Sequence, residues 1–270
     1  MKVQTSSEFI DEAPAISLPM LSLFLLAILA GGMVATMLLP ALIPGLAASA
    51  VGDQPTIFWM LSRGTAIVGF GLLWMSMAMG LLITNRLAKA WPGGPAAFDL
   101  HQYLSILGLA FALLHGTLLM GDRYMNFSLF QVLMPFTTQN YRPVWVGVGQ
   151  VAFYLWVILV LSFYVRRQIS NGAWRLIHYA GFLGFLMALV HGIASGTNSG
   201  EMWAQGMYWA AGGSLLFLTI YRIVVTSSQK AKTAAVRSNG HRRDVRVLEG
   251  ENVLSLPRAH RDTFNANDFN

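Results

Sequence analysis

The residues best suited to chemistry in this 270-residue sequence are four histidines in two apolar segments. His101 and His115 are 14 residues apart in one segment, and His178 and His191 are 13 apart in the other. Neutral imidazole is a good axial ligand for haem iron, and two axial imidazoles leave no open coordination position. The two histidine pairs therefore predict two bis-histidine haem sites, an arrangement that favours electron transfer over oxygen activation.

The segments that carry the histidines belong to a strongly apolar chain. Apolar residues make up 55% of the sequence and charged residues only 11%, whereas a soluble domain is about 25% charged. This composition argues against a soluble enzyme and predicts an all-α, polytopic membrane protein. Six segments are long enough to cross a bilayer as a helix of about 20 residues, and they are 18–39, 60–84, 99–120, 146–165, 174–195 and 203–225. The two haems are expected between the third and fifth of these helices.

The basic residues predict how the helices are oriented. Fifteen of the 18 Lys and Arg residues fall on one side of the predicted spans, and the other side carries only Arg63, Arg123 and Arg142. The positive-inside rule then places both termini in the cytoplasm. The third and fifth spans both run outward in this orientation. His101 and His178 are therefore expected at the cytoplasmic end, and His115 and His191 at the outer end, about 20 Å away along the helix axis.

The spacing on the fifth span raises a geometric difficulty. Fourteen positions return to nearly the same face of a helix, but 13 positions do not. We expect the fifth helix to tilt, bend or rewind locally, and Gly181 and Gly184 favour such a deformation. Core packing and a proton relay are the other interpretations of the histidines. A relay fits less well because neither histidine-bearing span contains a carboxylate beyond Asp99, which lies at the entrance of the third span.

Arg63 is the further candidate site residue, because it stands at the outer mouth of the second span. It is expected to contact a haem propionate or to attract an anionic outer acceptor. An interfacial anchor whose guanidinium reaches the headgroups is an equally good interpretation.

Outside the spans, residues 1–17 are predicted to be a cytoplasmic N-terminal segment and residues 226–270 a disordered, basic cytoplasmic tail. Residues 121–145 form the longest outer loop, which is expected to cap the bundle. The absence of cysteine excludes thiolate haem ligation, covalent haem attachment and cysteine-ligated iron–sulfur clusters. The basic residues are explained by membrane topology, so no nucleic-acid partner is expected.

Two stretches of the sequence resemble the ferric reductase-like transmembrane domain, namely DLHQYLSILGLAFALLHG and SFYVRRQISNGAWRLIHYAGFLGFLMALVHG. That family covers NADPH oxidases, ferric-chelate reductases and the haem subunit of the bacterial periplasmic methionine sulfoxide reductase. The resemblance spans about residues 60–225. It implies a six-helix bundle with an inner b haem on His101 and His178 and an outer one on His115 and His191. Arg63 matches the arginine that oxidases place beside the outer haem.

The sequence also departs from this family. Leu119 stands where oxidases carry a second histidine, one turn beyond the outer ligand, which weakens the case for dedicated superoxide production. No glycine-rich nucleotide fingerprint follows a strand, and no segment has room for a flavin or nicotinamide domain. We therefore expect no FAD or NAD(P) site in this chain. The electrons are expected from a separate flavoprotein, a ferredoxin-like carrier or membrane quinol.

These observations predict a di-haem b-type cytochrome in a bacterial plasma membrane. It would pass electrons from a cytoplasmic flavoprotein or quinol to an outer acceptor such as ferric iron or a periplasmic redox protein. As an enzyme it would be an oxidoreductase subunit that needs a separate donor protein. The alternative is a non-catalytic membrane anchor or assembly subunit with structural haem or none, and a haem or metal transporter is a third hypothesis.

Overall fold

The computed structural model describes residues 14–43, 57–122, 125–139 and 141–254, with side chains for all of these except 39–40 and 229–254. This part of the chain contains six long helices, and a five-residue helix, Leu129–Leu133, lies between the third and the fourth. The six are α1 (Leu18–Leu42), α2 (Ile57–Thr84), α3 (Gly94–Leu118), α4 (Pro143–Val165), α5 (Asn171–Ser195) and α6 (Met202–Leu254).

Residues 1–219 form one compact unit and residues 220–270 a second. In the second unit the described residues, 220–254, are helical. The rest of the predicted tail and most of the predicted N-terminal segment lie outside the described residues. Disorder of the tail therefore stays a prediction.

Each long helix contains a segment that is apolar enough to cross a membrane, which makes six in the described part of the chain. All six predicted spans coincide with these helices, so the all-helical, multi-pass architecture is confirmed. The predicted starts of α2 to α5 are three to five residues late. The residues left out form the first turns of these helices, and in α3 and α4 they include Gly94-Pro95 and Pro143, where proline suits the first helical turn.

Helices α2, α3, α4 and α5 form a four-helix core in the first unit. In this core α2 packs on α3, α3 on α4, α4 on α5, and α5 on α2. The helices α3 and α5 are not packed along their length and face each other across the diagonal. Helix α1 packs against α3, and the first part of α6 is joined to α2, where Trp74 donates its indole N–H to Ser214 Oγ at 2.9 Å.

The middle of the core is a layer of large apolar side chains. Phe70 of α2 stacks on Phe185 of α5 with ring centroids 5.8 Å apart. Trp156 of α4 fills the space beside Gly108 of α3, where a Cβ atom would lie 2.5 Å from the indole ring. These four residues lie near the midpoints of their helices. The layer therefore separates the two ends of the core.

The outer surface of the helices is also apolar. Among the exposed residues are Leu26 (62%), Met37 (68%), Leu176 (73%), Trp209 (80%) and Phe217 (66%). Exposed apolar side chains on this scale are unfavourable in water and favourable against lipid. The burial pattern therefore agrees with the multi-pass architecture.

Candidate functional site

The four histidines of α3 and α5 meet as two pairs across the diagonal of the core. The ring centroids of His101 and His178 are 6.1 Å apart, and those of His115 and His191 are 6.3 Å apart. The ring planes within the pairs are inclined by 70° and 69°. Because the N-terminal histidines of both helices pair with each other, α3 and α5 run parallel. We refer to the two ends of the core as the His101 end and the His115 end.

The 13-residue spacing on α5 does not prevent this pairing. His178 and His191 leave different faces of α5, but α3 and α5 do not pack directly, and the side chains converge in the space between them. Helix α5 is uninterrupted. Gly181 and Gly184, which were expected to deform it, lie against side chains of neighbouring helices.

Three of the four imidazoles are anchored through Nδ1 to backbone carbonyls of neighbouring helices. The bonds join His101 to Ser76 (2.9 Å), His115 to Ser62 (2.9 Å) and His191 to Trp145 (2.8 Å). A carbonyl only accepts hydrogen bonds, so Nδ1 carries the proton and Nε2 keeps a free lone pair. This is the tautomer that an Nε2 metal ligand requires, and such an anchor also fixes the ring.

Two buried serines on α2, which were not among the predicted site residues, hold the histidines of α3. Ser62 Oγ lies 2.9 Å from His115 Nδ1, and Ser76 Oγ lies 3.1 Å from His101 Nδ1. Ser62 and Ser76 are 14 residues apart, as are His101 and His115. Equal spacing on neighbouring antiparallel helices gives each histidine one serine. That repeat within an apolar span was the signal available in the sequence.

Small residues make the carbonyl anchors accessible. Gly80 follows Ser76 by one helical turn, and Gly149 follows Trp145 in the same way. A Cβ at Gly149 would lie 2.5 Å from His191 Nδ1, and one at Gly80 would lie 3.3 Å from His101 Cε1. A helical carbonyl already bonds the N–H four residues later, so a second donor must approach beside that later residue. Glycine leaves the space for the imidazole to do so.

His178 is held differently from the other three histidines. Its ring stacks on the indole of Trp174, one turn earlier on α5, with centroids 4.9 Å and planes 22° apart. Within the described residues no carbonyl anchors its Nδ1. The His101 end therefore has one carbonyl-anchored imidazole, and the His115 end has two.

The distance between paired rings fits a metal ion bound between two Nε2 atoms. A metal–imidazole bond is about 2 Å long and the ring centroid lies about 1 Å behind the nitrogen, so the centroids should be about 6 Å apart. The observed 6.1 and 6.3 Å agree with this value. Among the described residues no group of three His, Cys, Asp or Glu side chains is placed to hold a metal ion. Each pair therefore suits a metal that brings its remaining ligands with it, as haem iron does.

Arg63 lies at the His115 end, because it follows Ser62 on α2. Its side chain is half-buried and makes no hydrogen bond or ion pair with another described residue. One turn earlier on the same helix, Trp59 packs edge-to-face on Tyr141 at 6.0 Å. Arg63 thus offers a positive charge near the His115–His191 pair.

The described part of the loop at this end closes the C-terminus of α5, as expected of a capping loop. Tyr141 donates its hydroxyl to the carbonyl of Ser195 at 2.7 Å, and the Arg142 guanidinium donates to that of Ala194. The loop helix is fixed in turn by the Gln150 amide of α4, which donates to two of its carbonyls at 2.7 and 2.8 Å. Arg142, predicted only as a basic residue of the outer loop, therefore donates a hydrogen bond to a carbonyl that has no partner within the last turn of α5.

Comparison with known families matches residues 57–198 to DUF8596, a domain of unknown function. The matched range begins at the start of α2 and ends just beyond α5, so it contains the four-helix core and both histidine pairs. No curated protein and no solved structure matches the chain. Because the matched range covers more than half of the sequence, the chain belongs to the DUF8596 family.

Proposed function

We propose that this protein is a di-haem b-type cytochrome that transfers electrons across a membrane. The observation that carries the proposal is the pair of imidazole contacts across the core, at 6.1 and 6.3 Å between ring centroids. The Nδ1 anchors support it, since they leave Nε2 free to bind iron on three of the four rings. Bound haem would supply reversible one-electron chemistry.

The protein's own residues would position the ligands and exclude water. The carbonyls of Ser62, Ser76 and Trp145 fix three rings and make their Nε2 atoms more basic, which favours ferric iron. The two histidine levels are about 20 Å apart along α3, at 1.5 Å per residue. The layer around Phe70 and Phe185 fills the space between them. Two such sites at different depths of a membrane-spanning core would provide a path through it.

The direction of transfer follows from the distribution of charge. Four exposed basic residues lie at the His101 end, in the connections or in the first turns of α5, and they are Arg86, Lys89, Arg167 and Arg175. By the positive-inside rule this end faces the cytoplasm of a bacterial cell, with both termini on the same side. Electrons would then enter near His101 and His178 and leave near His115 and His191.

The donor and acceptor are proposed by class. A cytoplasmic flavoprotein or membrane quinol would donate, and a ferric chelate or a periplasmic redox protein would accept. Arg63 supports an anionic group at the outer end, either a haem propionate or the acceptor itself, because its charge has no counter-ion among the described residues. In this role the chain is one subunit of an oxidoreductase.

Electron transfer across sealed proteoliposomes tests this function. Vesicles loaded with ferricyanide and supplied with a membrane-impermeant reductant should consume ferricyanide when they contain the native protein. His115→Ala should abolish the transfer, whereas His241→Ala, in the basic tail, should leave it unchanged. An anchoring or assembly subunit would contain haem or lack it but would give no transfer, and that result would refute the proposal.

A further inference from the structure

The indole N–H of Trp174 is an unpartnered polar group beside the inner histidine pair. Trp174 Nε1 is buried and has no hydrogen-bond partner among the described residues. Trp74 on α2, in contrast, donates its indole N–H to Ser214 Oγ at 2.9 Å. The chain thus provides an acceptor for the indole of Trp74 but, within the described residues, none for the indole of Trp174.

A buried donor without an acceptor is unfavourable, and folded proteins almost always avoid it. The indole nitrogen can only donate. The described chain supplies no acceptor for this donor, so a group from outside it is needed to complete Trp174. Trp174 lies in the first turns of α5, so this acceptor lies at the His101 end of the core, where the polar part of a bound ligand would reach water.

The ring of Trp174 has a second contact that ties it to the same site. It stacks on His178 with centroids 4.9 Å apart, and His178 is the histidine without a carbonyl anchor. The face of the indole thus holds the imidazole, while its N–H edge remains for another group. Trp174 is thus in direct contact with one member of the inner histidine pair.

We propose that the Trp174 indole N–H binds a carboxylate of the haem held by His101 and His178, while its ring face positions His178. This inference rests on the proposed haem function and adds a polar contact to the axial ligands. Haem carries its carboxylates along one edge, and a charged acceptor gives a stronger hydrogen bond than a neutral one. Trp174 is therefore a haem-binding residue of the inner site.

Three variants of the full-length protein separate the two contacts of Trp174. Trp174→Phe keeps an aromatic face against His178 and removes the donor, whereas Trp174→Leu removes both. Trp91→Phe is the control, because Trp91 lies in the connection at the same end and is 76% exposed. The measurements are haem per chain, haem transfer to apomyoglobin and a potentiometric titration of each haem. The same variants in a His115→Ala background isolate the inner haem.

We expect Trp174→Phe to keep two haems per chain but to release one of them about tenfold faster, as for the loss of one hydrogen bond to a charged acceptor. The potential of that haem should become more negative, because its carboxylate is less compensated and stabilises ferric iron. Trp174→Leu should also change the electron paramagnetic resonance signal of that haem, because the His178 ring is no longer held. Trp91→Phe should match the native protein.

The outer haem serves as an internal control for folding. If Trp174→Phe affects both haems equally, Trp174 acts through the fold and the proposal is wrong. If the native protein carries two haems and Trp174→Phe matches it in release and potential, water satisfies the indole, and the proposal fails while the haem function stands. A native protein without haem would overturn both.

Discussion

At the scale of single residues, the main feature of the site is how the imidazoles are fixed and paired. Core packing requires only that each ring be buried and satisfied. Here three Nδ1 atoms lie within hydrogen-bond distance of helical carbonyls. The centroids of the paired rings are 6.1 and 6.3 Å apart, which leaves room for a metal ion between them. The helices α3 and α5 do not pack directly on each other along their length.

Gly149→Ala tests whether the carbonyl anchors matter. The added methyl would lie 2.5 Å from His191 Nδ1, so the ring must leave the Trp145 carbonyl. We expect haem per chain to fall from two towards one, measured by absorption on the purified protein. Gly71→Ala is the matched control, because a Cβ there meets nothing within 4 Å and the substitution should stabilise the helix by up to about 1 kcal/mol. Equal haem content in the two variants would contradict the role assigned to the anchor.

At the scale of elements, the sequence indicates the helices better than their arrangement. Apolar length alone predicts all six spans, but it misses the first turns of α3 and α4, where Pro95 and Pro143 lie. The pairing of His101 with His178 follows from matched positions on parallel spans. The placement of α3 and α5 on a diagonal does not, because helical periodicity describes one helix and not the space between two. For that reason the 13-residue spacing of His178 and His191 argued against both of them pairing with the histidines of α3.

The same reasoning applies to the residues around the histidines. Ser62 and Ser76 repeat at the spacing of His101 and His115, and the repeat could have been noticed. The contact between His191 and the Trp145 carbonyl could not have been predicted in this way. Every residue has a carbonyl, and only the folded structure determines which one lies next to the imidazole.

Phe185→Ala tests the layer between the two histidine levels. Phe185 is 7% exposed and stacks on Phe70, so its loss should leave a cavity and lower the free energy of unfolding by about 3 kcal/mol. The control is Phe182→Ala on the same helix, since Phe182 is 38% exposed and should contribute far less. Thermal unfolding in detergent, followed by circular dichroism, measures the difference. Similar losses for the two variants would show that the layer does not stabilise the core.

At the scale of the whole molecule, the proposed direction of electron transfer depends on which end of the core faces the cytoplasm. Exposed basic residues lie in the connections at the His101 end, and at the His115 end Tyr141 and Arg142 donate hydrogen bonds to the C-terminus of α5. The family match contains both ends together with the core between them. Under the proposed function, the orientation decides at which end electrons enter and at which end they leave.

Single cysteines measure the orientation directly, because the native chain has no cysteine. Lys89→Cys places a thiol at the His101 end, and Phe130→Cys places one in the loop at the His115 end, where Phe130 is 62% exposed. In intact spheroplasts a membrane-impermeant maleimide should label Phe130→Cys at once and Lys89→Cys only after the membrane is permeabilised. The reverse pattern would invert the proposed direction of electron flow.

The number of haems per chain tests most directly whether this protein is a di-haem cytochrome. Reduced-minus-oxidised absorption spectra of the detergent-purified protein, expressed with ample haem, should give two b-type haems for the native chain. His115→Ala or His191→Ala should leave about one, because each removes one proposed axial ligand of the outer site, while His241→Ala should keep both. A native chain that binds no haem under these conditions would contradict the account.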